Sequence, residues 1–185
     1  MKILLLSHTR CGSTTLCKWI ANELNLELNE TLYYEKEFNS IFELDNIIEK
    51  IVVGEYYPPI ELIEKFDKVI CLSRENSVEA AISFLRSNKT NMWHEEYEVE
   101  QEWIENNRIQ ILNYINEYDI IKSRLKEYRL FQTTYENIYI NKTDIPKILS
   151  YLNISNPKYL DDLNYSKKYR KDKNTFLKGE KNKLI

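Results

Sequence analysis

A short segment near the amino terminus combines the residue types that bind a tetrahedral oxyanion. Arg10 supplies a permanent cation whose forked donors match phosphate or sulfate, and Cys11 and Gly12 follow it. Hydroxyl side chains occupy the next three positions, Ser13, Thr14 and Thr15. An apolar segment, KILLLS, precedes this turn and an amphipathic segment follows it, so N–H groups at the start of a helix would face an anion. The pattern predicts either an anion-binding turn or an ordinary strand-to-helix turn in which Ser and Thr cap the helix.

The turn differs from the phosphate-binding loop of kinases and GTPases. That motif, GxxxxGK[ST], places a lysine directly before a Ser or Thr. This sequence lacks that lysine and the first glycine, and it has no GxGxxG motif. Cys11 lies beside Arg10 near a predicted helix amino terminus, which predicts a lowered thiol pKa.

A second segment with similar properties is VICLSRENSVEAAISFLRS. It places Arg74 just after a predicted strand and Ser83 nine residues further on, within the helix that follows. The carboxyl ends of parallel strands lie at one edge of a sheet, where ligands bind. Arg74 and Ser83 are therefore predicted to hold a second anionic group of the same ligand.

The remaining segments predict the scaffold that positions these turns. The predicted strands are KILLLS, LNETLYY (ending at Glu35), DKVICLS and LFQTTYENI, and the predicted helices follow them at residues 14–26, 38–54, 76–88, 98–127 and 144–154. In the helix at 38–54 the apolar face is predicted to comprise Ile41, Leu44, Ile47, Ile48 and Ile51. Alternating strands and helices predict an α/β fold, a three-layer α/β/α sandwich with a central parallel sheet.

Composition restricts the class of protein. The 185 residues suggest one domain, 1–185, with the tail from about residue 156 unassigned. A net charge of −3 predicts no nucleic-acid partner. Three cysteines without CxxC spacing favour a reducing, cytoplasmic setting and no zinc site. Residues 3–6 are too short an apolar run for a signal peptide, and no segment is predicted to span or bind a membrane.

The quoted motifs resemble those of sulfotransferases that use 3′-phosphoadenosine 5′-phosphosulfate (PAPS), most of all the small carbohydrate branch typified by trehalose sulfotransferase. TRCGSTTLC is similar to the R-S-G-S-T-x-L loop of that branch, with Cys11 in place of a serine. LSREN…AAIS is similar to L-x-R-x-D…x-A-x-S, with Asn76 in place of the aspartate. NMWH resembles a Trp-His pair, and TTYENI with IPKILSYLNI resembles the Y-E-D-L strand and its helix.

The resemblance implies a P-loop-NTPase-like sulfotransferase fold and assigns roles to individual residues. The 5′-phosphosulfate of PAPS would bind the first turn, at Arg10, Cys11, Gly12, Ser13, Thr14 and Thr15. Arg74 and Ser83 would bind the 3′-phosphate. The sulfuryl group would pass in line to a hydroxyl of a carbohydrate or other small acceptor, leaving 3′-phosphoadenosine 5′-phosphate (PAP), with no metal ion required.

The same resemblance suggests catalytic and acceptor-binding residues. The general base would be a glutamate after the second strand, either Glu35 or Glu37, with His94 as a third candidate. Arg10 would neutralise the leaving group. Trp93 and His94 would contact the acceptor.

Two other functions agree with the sequence. A nucleotide kinase or NTPase of related fold would bind ATP with magnesium, although the loop lysine is missing. A non-catalytic interaction module would bind PAP without turnover.

Overall fold

The computed structural model of the chain describes residues 1–32, 45–54, 57–90, 101–128 and 130–163. The strands in these ranges are β1 (Lys2–Ser7), β2 (Glu27–Leu32), β3 (Ile47–Val52), β4 (Lys68–Ser73) and β5 (Phe131–Thr134). The helices are α1 (Ser13–Leu24), α2 (Ile60–Ile63), α3 (Ser77–Thr90), α4 (Gln101–Asn106), α5 (Arg108–Glu127) and α6 (Ile145–Tyr151). A π-helical turn, Glu136–Ile140, lies between β5 and α6.

The five described strands form one sheet in the order β2-β3-β1-β4-β5. Every neighbouring pair is parallel. The central strand β1 pairs with β3 from Lys2↔Ile47 to Ser7↔Val52, and with β4 from Ile3↔Lys68 to Ser7↔Leu72. The turns after β1 and β4 therefore begin side by side at the carboxyl edge of the sheet.

Apolar side chains cover both faces of this sheet. Leu4 and Ile51 lie on one face, in a core with residues of α3 and α5 such as Ala81 and Ile111. On the other face the core comprises strand residues Ile3, Leu5 and Ile48 with Leu16 of α1 and Ile148 of α6. Burial on both faces explains why β1 is a continuous apolar run. The predicted α/β fold, with a parallel sheet between two helical layers, is confirmed.

The predicted helix over residues 38–54 is wrong where the structure describes it. Residues 47–52 form β3, which lies between β1 and β2. Ile47, Ile48 and Ile51 have the i, i+1, i+4 spacing of a helix, which led to the error. In the strand, side chains alternate between faces, so Ile47 and Ile51 join one core and Ile48 the other. Two charged residues, Glu49 and Lys50, are buried in the same strand.

Other boundaries differ in smaller ways. The segment LFQTTYENI is a strand only over Phe131–Thr134, because the chain then turns into the π-helical turn. The predicted helical region 98–127 is divided at Asn107 into α4 and α5. Asp144 is the N-cap residue of α6, but its carboxylate accepts from Thr133 Oγ1 (2.9 Å) and makes no capping bond. No helix in the described ranges is both long and apolar enough to cross a bilayer.

Candidate functional site

The first turn begins where β1 ends at Ser7 and finishes where α1 starts at Ser13. Two of its residues, Arg10 (φ 61°) and Gly12 (φ 81°), adopt the left-handed conformation. Such a conformation is uncommon for a residue with a side chain and is concentrated at functional sites. These two residues bend the chain sharply between the strand and the helix.

Gly12 is required at its position by its conformation and by its surroundings. A Cβ atom there would lie 2.6 Å from Cε2 of Tyr139 and 3.1 Å from Cδ2 of Tyr135. The Tyr139 hydroxyl donates a hydrogen bond to the Gly12 carbonyl over 2.7 Å. The π-helical turn therefore packs directly against the backbone of the first turn.

The same glycine determines how the start of α1 is capped. Gly12 is the N-cap residue of α1, so the cap position has no side chain that could bond the first helical N–H groups. The first intrahelical bond joins Leu16 N–H to Gly12 O (3.2 Å), and the N–H groups of residues 13–15 precede it. Ser and Thr are therefore not the cap of this helix, and its amino end has the polarity that attracts an anion.

The Cys11 side chain points into the core beneath the turn and has no contact with solvent. Its thiol donates to the His8 carbonyl over 2.8 Å. Burial raises the pKa of the Cys11 thiol to about 11. The predicted lowering of this pKa is wrong, because loss of hydration outweighs nearby hydrogen bonds and the positive charge of Arg74.

The structure brings the predicted residues of the two turns together. Arg10 Nε donates to Ser83 Oγ over 2.8 Å, and Arg74 Nη1 donates to the Arg10 carbonyl over 3.2 Å. The Arg74 guanidinium lies over the ring of Tyr135, 4.5 Å from its centroid. Two cationic side chains and one hydroxyl thus lie at the carboxyl ends of β1 and β4.

The second turn comprises residues 74–76, between β4 and α3. Acidic side chains of the chain itself already bind its positive groups. Arg74 forms an ion pair with Glu79. The Glu136 carboxylate accepts from the N–H groups of Glu75 (2.9 Å) and Asn76 (3.2 Å), just before α3. Arg74 Nε is buried and makes no hydrogen bond within the described part of the chain. A carboxylate therefore lies where the sequence predicts an anionic group of the ligand.

His8 connects the two turns, a role that was not predicted from the sequence. Its imidazole is fully buried; Nδ1 donates to the Thr9 carbonyl (2.7 Å), and Nε2 accepts from Arg74 N–H (2.9 Å). One donor and one acceptor define a neutral ring. Burial is the main cause that lowers the pKa of His8 from 6.5 to about 4. Its position directly after a buried strand was the only sequence signal for this role.

Tyr118 of α5 closes one side of the first turn. Its hydroxyl and Thr9 Oγ1 are hydrogen-bonded over 2.8 Å, and its ring lies 4.8 Å from that of His8. Burial raises the pKa of the Tyr118 hydroxyl, so this group is neutral near pH 7. Nothing local to Tyr118 in the sequence indicates this contact.

Lys50 also reaches the first turn, from β3. Its ammonium donates to Thr14 Oγ1 over 2.9 Å, and the residue is only 8% exposed. This contact was not predicted, because residues 38–54 were assigned to a helix. A cation therefore lies beside the second residue of α1, close to the residues that the turn itself supplies.

The predicted base and acceptor residues stay predictions. Glu35, Glu37, Trp93 and His94 lie outside the described residues, as does the basic tail from residue 164. Within the described ranges, no three His, Cys, Asp or Glu side chains are grouped as metal ligands.

Comparison with known proteins relates this fold to two classes of transferase. No protein-family model and no curated protein matches the sequence. Among solved structures, the mouse sulfotransferase SULT7A1 complexed with PAP superposes with a TM-score of 0.55 and 15% identity, over 85% of this chain and 60% of that one. Shikimate kinase from Bacteroides thetaiotaomicron superposes with a TM-score of 0.52 and 14% identity, over 83% of this chain and 99% of that one. At these identities the similarity shows the fold, which is the P-loop-like α/β fold that sulfotransferases and nucleotide-dependent kinases share.

Proposed function

We propose that the chain is a PAPS-dependent sulfotransferase that acts on a hydroxyl of a carbohydrate or other small acceptor. The main support for this proposal is a pair of hydrogen bonds beside the glycine-capped start of α1: Arg10 donates to Ser83, and Arg74 donates to the Arg10 carbonyl. These contacts hold positive groups at two neighbouring turns, as a nucleotide with separated anionic groups requires. The sequence resemblance and the shared fold support the same activity.

The first turn would bind the 5′-phosphosulfate. Arg10 and the N–H groups of residues 12–14 would neutralise the charge that develops on the leaving phosphate oxygen. PAPS supplies the sulfuryl group: its S–O bond to the 5′-phosphate breaks as the acceptor oxygen bonds to sulfur, and PAP leaves. The main contribution of the protein is to orient the groups and stabilise this charge.

The acceptor proton needs a base outside the described residues. Glu35 or Glu37 is proposed for this role, with His94 as the third candidate, and Trp93 and His94 are proposed to contact the acceptor. The base would take the proton from the acceptor hydroxyl as that oxygen bonds to sulfur.

The 3′-phosphate would bind at Arg74 and Ser83. Because Arg74 is paired with Glu79, a phosphate would share or replace this carboxylate at the guanidinium. Removing the Glu79 charge should therefore strengthen the binding of a nucleotide that carries a 3′-phosphate.

A nucleotide kinase or NTPase is the second candidate. It is favoured by the carboxylates at the second turn, Glu79 and Glu136, because a nucleotide without a 3′-phosphate needs no anion site there. The missing loop lysine counts against it. A PAP-binding module without activity is the third candidate, and turnover distinguishes it from the first.

Calorimetric titration with PAP, ADP and ATP with magnesium tests the proposal. The native chain should bind PAP more tightly than ADP, which lacks the 3′-phosphate. Arg74→Met should weaken PAP binding by about 10- to 100-fold and leave ADP binding nearly unchanged, whereas Glu79→Gln should strengthen PAP binding several-fold. Arg124→Met is the matched control, because Arg124 lies in the last turn of α5, over the ring of Tyr57.

The outcomes separate the three candidates. Preference for PAP that depends on Arg74, with transfer of radiolabelled sulfate from PAPS to a hydroxyl acceptor, supports the sulfotransferase. Preference for ATP with magnesium would overturn it in favour of the kinase. Tight PAP binding without transfer to any acceptor of a broad glycan and alcohol panel would favour the binding module.

A further inference from the structure

A cavity of about 590 Å³ lies between the last turn of α5 and the segment that leads into α2. The Tyr128 hydroxyl donates to the Pro58 carbonyl over 3.1 Å and so connects the two walls. Sites that bind small molecules have volumes of roughly 300–1,000 Å³, so this cavity has room for one. The described residues that line it are Tyr57, Ile60, Arg124, Glu127 and Tyr128.

The cavity is separate from the two turns of the candidate site. Helix α5 contacts the first turn through Tyr118, whose hydroxyl is hydrogen-bonded to Thr9. At a rise of 1.5 Å per residue, Arg124 and Glu127 lie about 9 and 14 Å further along this helix. The helix then leads into β5, which begins at Phe131 towards the amino edge of the parallel sheet. A ligand in the cavity therefore needs none of the residues proposed to bind PAPS.

Two side chains of opposite charge line this cavity without pairing. The Arg124 guanidinium lies over the Tyr57 ring, 4.8 Å from its centroid. Residues three apart on a helix are neighbours and can pair, yet neither Arg124 nor Glu127 forms an ion pair among the residues that the structure describes. Both charges act on the Tyr57 hydroxyl: burial raises its pKa, Arg124 opposes this rise and Glu127 adds to it. A positive and a negative group thus lie at one cavity.

We propose that the cavity binds a free α-amino acid with an apolar side chain. The ligand carboxylate would accept from the Arg124 guanidinium, whose paired donors match a carboxylate. The ligand ammonium would donate to the Glu127 carboxylate. The apolar side chain of the ligand would cover Ile60, which is 46% exposed, beside the rings of Tyr57 and Tyr128.

The end of α5 favours an ammonium at the same position. Glu127 is the last residue of this helix, and Tyr128 follows it as the C-cap. Carbonyl groups in the last turn of a helix have no partners within the helix and give this end a negative potential. One of them, the Leu125 carbonyl, accepts from Gln132 over 2.9 Å. A cation at Glu127 is therefore attracted by the carboxylate and by the helix end.

The two opposite charges favour a zwitterion over other classes of ligand. A simple anion would be attracted by Arg124 and repelled by Glu127, and a simple cation would meet the reverse. A neutral sugar could pack on a tyrosine ring and hydrogen-bond to both charged side chains, but it would gain nothing from their opposite signs. An amino acid matches both charges and adds an apolar part for the ring-lined wall.

An NMR titration of the isotope-labelled full chain with L-phenylalanine tests the proposal. The backbone N–H signals of Tyr57, Ile60 and Glu127 should shift, whereas those of Gly12 and Arg74 should not. Phenylalaninamide lacks the carboxylate charge and 3-phenylpropionate lacks the ammonium, so each should bind about 5-fold or more weakly than L-phenylalanine. Methyl glucoside is the probe for a neutral sugar.

Two variants relate each ligand charge to one side chain. Arg124→Met should weaken the binding of L-phenylalanine about 5-fold or more and leave that of phenylalaninamide nearly unchanged. Glu127→Gln should weaken L-phenylalanine similarly and leave 3-phenylpropionate nearly unchanged. Lys126→Met is the matched control, because Lys126 is a cation of the same helical turn but does not line the cavity. Its affinity should equal that of the native chain.

The series of ligand analogues needs no variant, so it tests the proposal even if a variant does not fold. Equal affinities for the three phenyl compounds, shifts confined to other parts of the chain, or no binding of either L-phenylalanine or L-leucine would overturn the proposal. Binding of methyl glucoside in place of the amino acids would overturn it in favour of a neutral sugar.

This inference goes beyond the proposed function and does not rest on it. Amino-acid binding at the cavity, in a chain that does not prefer PAP to ADP, would keep the cavity as a site and reject PAPS as the substrate. Preference for PAP without amino-acid binding would keep the sulfotransferase and reject the amino-acid site.

Discussion

Replacing His8 with glutamine should make the stability of the protein less sensitive to acid. The His8 imidazole is buried and neutral, with Nδ1 bonded to Thr9 and Nε2 accepting from Arg74. Burial, together with the charges of Arg74 and Lys122, lowers its pKa to about 4, while Thr9 and Glu136 act in the opposite direction. A protonated ring would lose its acceptor nitrogen for the Arg74 N–H and place a charge in the core.

The sign and size of the effect follow from the difference between the folded and unfolded pKa values. In the unfolded chain His8 titrates near 6.5, and in the folded chain near 4, so between these values the unfolded chain binds more protons. Stability supplied by neutral His8 is complete above pH 6.5 and is lost as the pH falls towards 4. The full difference corresponds to about 3 kcal/mol, of which about 2 kcal/mol is lost between about pH 7 and pH 5.

Urea unfolding of the native chain and His8→Gln over this pH range measures the effect. Glutamine can donate and accept hydrogen bonds but does not titrate, and the other titrating groups are common to both proteins. The difference in unfolding free energy should change by about 2 kcal/mol between about pH 7 and pH 5. Parallel profiles for the two proteins would refute the argument, since they would mean that His8 is accessible to protons in the folded state.

Two further predictions concern the first turn. Gly12→Ala should lower the free energy of unfolding by about 2–4 kcal/mol, because residue 12 has a positive φ and the added Cβ would overlap the Tyr139 ring. Urea unfolding measures this loss. Gly54→Ala is the control, because no atom lies within 4 Å of the Cβ added there. An equal loss in both variants would contradict the packing argument. Cys11, with its pKa raised to about 11, should react with a thiol reagent near pH 7 only as fast as the protein unfolds. Rapid labelling of Cys11, located by mass spectrometry, would contradict its burial.

The elements that position the site were predictable where their signals are local. The apolar segments around Leu5 and Ile70 are continuous because both faces of their strands are buried. The glycine and hydroxyl residues after β1 mark a turn before a helix, and Arg74 follows β4 directly. Because parallel strands end at the same edge of a sheet, the meeting of the two turns followed from the predicted topology.

The elements that were missed depend on contacts distant in sequence. Ile47, Ile48 and Ile51 fit a helix as well as a strand, and only pairing with β1 and β2 makes this segment a strand. The contact of Lys50 with Thr14 depends on that pairing, so it could not be predicted from the wrong element. The π-helical turn that carries Glu136 was likewise predicted as a continuation of β5.

The sequence alone thus determines the fold class and the two turns that contain Arg10 and Arg74, because hydrophobic periodicity and turn chemistry act over a few residues. Tertiary structure decides which charges meet these turns. Lys50 is separated from Thr14 by 36 positions in the sequence, and Glu136 is separated from Asn76 by 60. Such contacts arise only when the strands have paired and the helices have packed, since burial and electrostatics depend on distance in space and not on separation along the chain.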